Sequence, residues 1–238
     1  MIDFNIIATG STGNATVING HILIDCGISF KKLRPYIREL NLVLLTHVHG
    51  DHFKESTVRE LHRLRPQIRF GCCPWMVEPL LQAGVDQRKI DVYEPGKGQY
   101  TYGSGQDKFA VYPFALVHNV PNCGYIVSTL SEAMMYATDT GNLDMIEAKN
   151  LDLYLIEANH GEDEIQARIE AKLEAGEMAY EAAAMENHLS REQALQWLSM
   201  NMGPNSRYVF MHQHVEREGG QNGSGKNAQG IYPHVEDS

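Results

Sequence analysis

Apolar and polar positions along this chain fall into two strand-rich series. In the first, Phe4-Asn5-Ile6-Ile7, Ala15-Thr16-Val17-Ile18, His21-Ile22-Leu23-Ile24 and Leu42-Val43-Leu44-Leu45 are short apolar runs bounded by Gly, Asn and Asp, the pattern of buried or half-buried strands. Asn19-Gly20 joins the second run to the third and predicts a tight two-residue hairpin. Helical segments are predicted from Phe30 to Glu39, short or irregular because of Pro35, and from Lys54 to Leu64, where Val58, Leu61 and Leu64 recur at helical spacing. The second series comprises Phe109 to Tyr112, Gly124 to Ser128, Ala133 to Ala137, Leu153 to Glu157 and Arg207 to Met211. Strands and then helices, twice over, predict two packed sheets with helices outside: a four-layer αββα sandwich of two similar halves.

Between the last strands, residues 161–187 change character, becoming rich in Glu and Ala with Ile165, Ile169 and Leu173 along one face. This reads as a helical insertion covering one side of any site, with a solvated outer surface. Ser190-Arg191-Glu192-Gln193 is a capping box that opens the next helix. After Arg217 the chain is glycine-rich and poor in apolar residues, so residues 218–238 are expected to form a mobile tail to a single domain spanning 1–217. With 238 residues and 43% hydrophobic content, one such domain has ample core. No apolar run approaches membrane-spanning length, and the N-terminus lacks the basic and apolar regions of a signal peptide, which predicts a soluble, cytoplasmic protein. The four cysteines, Cys26, Cys72, Cys73 and Cys123, have no C-x-x-C or framework spacing and read as reduced apolar fillers, with a thiolate metal site at Cys72-Cys73 as the sharper alternative. A formal charge of −10 argues against a broad polyanion-binding surface, although not against a local basic groove.

The candidate chemistry begins where Leu42-Val43-Leu44-Leu45 runs into Thr46-His47-Val48-His49-Gly50-Asp51-His52. In extended chain, side chains at i and i+2 point the same way, so His47 and His49 can reach one ion together. After the turn at Gly50, Asp51 and His52 swing toward a second position beside it. Imidazole and carboxylate donors suit Zn²⁺ and its neighbours, and a two-metal hydrolytic site needs further donors and a bridging carboxylate. Three strand ends offer them: His118 after Phe114-Ala115-Leu116-Val117, Asp139 after Met134-Met135-Tyr136-Ala137, and His212 after Tyr208-Val209-Phe210-Met211. Asp25 reads as a buried carboxylate supporting the histidine loop, and His160 as a structural hydrogen-bonding residue. Thr9 to Asn14 lacks the Gly-Lys-Ser/Thr of a phosphate loop and reads as a tight turn that places backbone near the cleft.

With these residues assembled, the sequence resembles the metallo-β-lactamase superfamily of metallohydrolases from Thr9 to about Arg217. It is most similar to the phosphodiesterase and nuclease branch, especially exonuclease-like members of bacteria, phages and prophages. Thr9-Gly10-Ser11-Thr12-Gly13-Asn14, Leu23-Ile24-Asp25-Cys26-Gly27, Ala137-Thr138-Asp139-Thr140-Gly141, Ile156-Glu157-Ala158-Asn159-His160 and Asn187-His188-Leu189-Ser190 carry the resemblance alongside the histidine motif. It implies a first metal on His47, His49 and His118, a second on Asp51, His52 and His212, and Asp139 bridging. It also implies that His188, matched to a histidine of the tRNA 3′-end processing relatives, assists proton transfer with Glu157 as its acidic partner. The family's last motif often reads His-Leu-Ser, whereas this chain has His212-Gln213-His214; strand register favours His212 over His214.

The activity so implied is phosphodiester hydrolysis through a bridging hydroxide that two divalent ions generate, Zn²⁺ by default with Mn²⁺, Fe²⁺ or Ni²⁺ compatible. Asp51 and Asp139 would orient that nucleophile and His188 would protonate the leaving alkoxide. Thioester, lactone or lactam hydrolysis on the same scaffold is the competing activity, and a non-catalytic metal-binding module the competing class. His49 stands where redox di-iron relatives usually carry Glu, which speaks against an oxidoreductase. The expected partner is a nucleic acid or nucleotide substrate (DNA, RNA, or a cyclic or small nucleotide), and a homodimer is compatible with the family.

Overall fold

The computed structural model describes residues 1–178, 185–213 and 232–233. Two sheets form in strict chain order. The first contains β1 (Phe4–Ala8), β2 (Ala15–Ile18), β3 (Ile22–Ile24), β4 (Leu42–Leu45), β5 (Arg69–Cys72) and β6 (Ile90–Val92), and the second contains β7 (Tyr100–Tyr102), β8 (Phe109–Leu116), β9 (Asn122–Ser128), β10 (Ala133–Ala137), β11 (Leu153–Glu157), β12 (Arg207–Met211) and β13 (Tyr232–Pro233). Each sheet begins antiparallel and turns parallel, at β3–β4 in the first and β10–β11 in the second. β13 returns antiparallel to β12, pairing Tyr208 with Tyr232; the remainder of the expected tail lies outside the described residues.

Side-chain alternation sorts the strands into layers. Ile22, Ile24, Leu42 and Leu44 meet Tyr125, Tyr136, Leu153 and Leu155 in the core between the sheets. Their neighbours Leu23, Val43 and Leu45 point the other way and pack with Leu33, Val58, Leu61 and Leu80. These last four belong to α1 (Phe30–Leu33), α2 (Glu55–Leu64) and α3 (Val77–Gln82). On the far side, Tyr154 and Ile156 of β11 pack with Ala194, Trp197 and Leu198. The four layers are therefore helix, sheet, sheet and helix, as the sequence predicted.

The hairpin at Asn19-Gly20 forms with φ of 49° and 72° at the two turn residues, the signs that its sequence favours. Ser190 caps α5 (Arg191–Asn201) with both bonds of the capping box present. The helix expected from Phe30 to Glu39 stops at Leu33 and continues as turns, because Pro35 removes a donor and crowds the preceding turn. α4 (Glu162–Glu174) fills part of the expected insertion, but its apolar face is incomplete: Ile165 is buried while Leu173 is 63% exposed. The strands β5 to β7 and helix α3 carried no clear sequence signal. All four cysteines are free and buried, and no described helix is long and apolar enough to cross a membrane.

One glycine fixes how the β4–α2 loop sits on the sheet. A Cβ on Gly27 would lie 1.7 Å from the Asp51 carbonyl oxygen and 2.6 Å from the His52 nitrogen, so the loop can approach only where no side chain exists. Gly27→Ala is predicted to push this loop off the sheet edge and to destabilise the protein by about 3 kcal/mol, the upper range for overpacking. A thermal melt matching the parent would refute the close approach.

Candidate metal centre

The loop from His47 to His52 leaves β4 at a strand exit held from several directions. Tyr125 donates its hydroxyl to the Leu45 carbonyl at 2.5 Å, and the Trp75 indole donates to the Thr46 carbonyl at 3.0 Å. The chain then folds back, so that the amides of His52 and Phe53 both donate to the His49 carbonyl. Cross-bonds from Cys26 N to the His52 carbonyl (2.8 Å) and from Asn14 N to the Asp51 carbonyl (2.6 Å) tie it to the β1–β2 and β3–β4 loops. His118, Asp139 and His212 stand one or two residues past the ends of β8, β10 and β12, and Glu157 is the last residue of β11. Asp25, Asp139 and His212 have φ of 60°, 58° and 53°. This left-handed backbone re-aims a side chain sharply at a strand end, and Asp and His are among the few non-glycine types enriched there.

These placements bring all seven expected metal donors, together with His188 and Glu157, into one cleft. His47 Nε2 lies 3.1 Å from His49 Nδ1, which lies 3.3 Å from His118 Nε2. Nitrogens on a tetrahedral ion with Zn–N bonds of about 2.0–2.1 Å would stand about 3.3 Å apart, so this triad already has the spacing that an ion requires. Asp51, His52 and His212 form a second group, with Asp51 Oδ2 3.7 Å from His52 Nε2 and 3.8 Å from His212 Nε2. Asp139 Oδ2 touches His52 Nε2 at 2.8 Å without a hydrogen-bonding alignment and falls in a cluster with His47 and His52, between the two groups. Asp139 Oδ2 and His212 Nε2 are buried and without hydrogen-bond partners among the described residues. For the acceptor Asp139 Oδ2 this costs about 1–3 kcal/mol, which a cation beside it would relieve. The donor set and its orphaned atoms thus fit a pair of divalent ions.

The outer partners turn Nε2 of each ring toward the place where an ion would sit. His52 Nδ1 lies 2.7 Å from Asp25 Oδ2, His118 Nδ1 lies 3.1 Å from the Asn187 carbonyl, and His212 Nδ1 lies 2.9 Å from Glu157 Oε1. His47 Nδ1 lies 3.0 Å from Thr46 Oγ1, whose own proton goes to Asp25. Each of these four rings donates through Nδ1 and so presents Nε2, the arrangement by which proteins orient metal-binding histidines. Asp25 is fully buried and also accepts from the Thr46 amide at 3.0 Å, the supporting role read from the sequence. Glu157, fully buried, accepts through Oε1 from His188 Nδ1 (2.7 Å) as well as His212, and through Oε2 from the amides of Thr140 and Leu189. His160 lies apart from these clusters, its Nδ1 3.4 Å from Asn159 Oδ1. His214 lies outside the described residues.

Sequence reasoning missed Asn14. It is fully buried and accepts from the Gly10 amide through Oδ1, while its Nδ2 stands 2.8 Å from His52 Nε2 and 3.4 Å from Asp51 Oδ2. The only signal was the glycine pair around it: Gly10 and Gly13 have φ of 109° and 142°, and their turn drives Asn14 inward. Thr9 was also missed; its hydroxyl accepts from the His212 amide at 2.7 Å.

The two groups differ in proton affinity. Burial pushes His47 down to about 2, with His52 nearby adding to the effect, and burial likewise lowers His118. Burial also opposes charge on His212, but the carboxylates of Asp51, Glu157 and Asp139 override it and raise that ring to about 10. His52 is raised in the same way by Asp139 and Asp25, while Asp139 itself, despite burial, is held well below the usual carboxylate range by His52 and His212. A metal must displace a proton from His212 and His52 but not from His47 or His118 near neutral pH. Loading the second group is therefore predicted to release the protons of His52 and His212 at pH 7, whereas His47 and His118 give up none. Second-group affinity should then rise with pH up to about 10. Titration calorimetry in buffers of different ionisation enthalpy measures both; equal proton release for the two ions would contradict this assignment.

Comparison with known proteins places these features in context. A family model described as "Beta-lactamase superfamily domain" matches residues 21–213. No curated protein sequence matches the chain significantly. Among solved structures, the metallo-β-lactamase fold protein YhfI from Bacillus subtilis is similar at 15% identity and a TM-score of 0.66, covering 91% of this chain and 88% of its own. Human tRNase Z, short form, is similar at 16% identity and a TM-score of 0.60, covering 90% and 93%. A diphosphatase from the PhnP family is similar at 14% identity and a TM-score of 0.58, covering 90% and 87%.

Proposed function

The chain belongs to the β-lactamase superfamily and has the metallo-β-lactamase fold, and from that premise we propose that it is a two-metal phosphodiesterase or nuclease. In this reading His47, His49 and His118 hold one ion, Asp51, His52 and His212 hold the other, and Asp139 stands between them. Zn²⁺ is the default for such nitrogen and oxygen donors, with Mn²⁺, Fe²⁺ or Ni²⁺ also suited. Ions bound there would supply Lewis-acid polarisation and a nucleophile available near neutral pH.

The observation that carries the reading is the pairing of His188 with Glu157 at 2.7 Å, beside the metal donors. Glu157 accepts from His188 Nδ1 and so orients the ring; in the doubly protonated imidazolium the proton left for a substrate is the one on Nε2, and the ring is 20% exposed against a fully buried carboxylate. An alkoxide leaving group needs such a proton donor, whereas a thiolate leaves without one. His188 is thus the leaving-group acid, Glu157 its orienting base, and Asp51 and Asp139 orient the attacking group as well as holding metal. The fold is shared with proteins named as a tRNase and a diphosphatase, which agrees with a phosphoester substrate. Relation to phage and bacterial exonuclease-like members is the narrower form of the same proposal.

The test is turnover by zinc- or manganese-loaded protein. Bis(p-nitrophenyl) phosphate and a dinucleotide are expected to be cleaved, and a panel of thioesters and lactones to be left intact. Hydrolysis confined to the thioesters would replace this reading with the competing one, and a digest of single- and double-stranded DNA, RNA and cyclic nucleotides then sorts the nucleic-acid classes.

A further inference from the structure

Next to the outer edge of Asp51 lies an open groove of about 560 Å³. Two segments line it: the Ser11-Thr12 turn between β1 and β2, and Lys54, Glu55, Ser56 and Arg59 at the opening of α2. Gly27 and Gly50 contribute to its surface without side chains. The lining carries the hydroxyls of Ser11, Thr12 and Ser56 and the ammonium of Lys54 on exposed residues, with the Phe53 ring and the carboxylates of Asp51 and Glu55 beside them. Arg59 is paired with Glu55, which neutralises both inside the groove. Lys54, in contrast, has no side-chain partner among the described residues. In a chain of formal charge −10, an unpaired cation that lines one groove with three hydroxyls and a candidate metal donor leaves that groove without the acidic excess of the chain as a whole.

We infer that this groove, adjoining the candidate metal centre through Asp51, is a subsite for a second phosphate, so that the substrate class is an oligonucleotide or polynucleotide rather than an isolated cyclic nucleotide. The inference rests on the phosphodiesterase reading and deepens it. A phosphate presents oxygens that accept from an ammonium and from hydroxyls together. The groove is open and larger than one phosphate requires. Its sharing of Asp51 with the metal centre means that a ligand anchored at the metals can extend into it without leaving the surface. Because Lys54 is exposed, the contact is open to salt and its contribution falls as ionic strength rises.

The experiment is calorimetric binding to the full-length, zinc-loaded protein of two phosphomonoesters, thymidine 5′-monophosphate and thymidine 3′,5′-bisphosphate, neither of which a phosphodiesterase consumes. The bisphosphate is expected to bind more tightly. Lys54→Glu should reduce the ratio of the two affinities by about tenfold, the scale of a hydrogen bond to a charged group plus the reversed charge, and Lys54→Arg should keep it. A ratio near one in the parent protein, or a ratio that Lys54→Glu leaves intact, overturns the subsite. Failure of the wider reading shows elsewhere, as absent hydrolysis of bis(p-nitrophenyl) phosphate, and does not alter what the affinity ratio reports.

Discussion

Asp139→Asn is expected to lower turnover of bis(p-nitrophenyl) phosphate by at least about 10³-fold, the scale of losing a preorganised charge at a reacting centre, and to leave the protein holding one ion tightly instead of two. The side chain occupies the seam between the two donor groups: Oδ2 is 2.8 Å from His52 Nε2, and Oδ1 is 3.5 Å from His212 Nδ1. Asparagine is the informative replacement because Asp139 sits at φ of 58°, a conformation that Asn tolerates. Its shape is retained and its charge is removed. Alanine would add about 1–2 kcal/mol of backbone strain to the same loss and so confuse stability with metal binding. Metal content by mass spectrometry, read alongside the rate, checks both parts. Two ions bound and a rate within tenfold of the parent would remove Asp139 from its place between the metals.

The second large effect concerns His188. His188→Ala is expected to slow cleavage of a dinucleotide by about 10²- to 10⁴-fold, the usual contribution of a general acid. Cleavage of bis(p-nitrophenyl) phosphate should slow far less, because a nitrophenolate departs without help. The contrast between leaving groups separates proton donation from a merely structural role, which would depress both substrates alike. His188 also neighbours Asn187, whose carbonyl accepts from His118 at 3.1 Å, so metal content must be measured in the variant. Equal slowing of the two substrates with both ions in place would assign His188 to holding the site rather than to the chemistry.

What could be read from the chain depended on how each feature is encoded. The run Leu42 to Leu45 followed by His47, His49, Asp51 and His52 declares itself, because an apolar strand and a dense donor set stand side by side in sequence. His118, Asp139 and His212 were legible as strand-end polar residues, yet their meeting depends on the order of two sheets. Glu157 and His188 came only through family resemblance: nothing local in Ile156-Glu157-Ala158 announces a buried carboxylate serving two rings. The segment from Arg69 to Tyr102 stayed unread because its strands are three or four residues long and carry Gly71, Asp91 and adjacent cysteines, too short and mixed for a period to emerge. Asn14 was hidden for another reason. Its direction is set by two glycines in left-handed backbone, which sequence shows as a turn but not as an orientation. The apolar stripe on α4 misled at Leu173, which shares helical spacing with the buried Ile165 yet is 63% exposed.

Glu157 Oε1 stands 2.7 Å from one imidazole and 2.9 Å from another. Because a single oxygen polarises both rings, whatever changes its basicity tunes them in the same direction. In the roles proposed for His188 and His212, a variant that weakened the carboxylate would therefore alter proton transfer and the hold on a cation together.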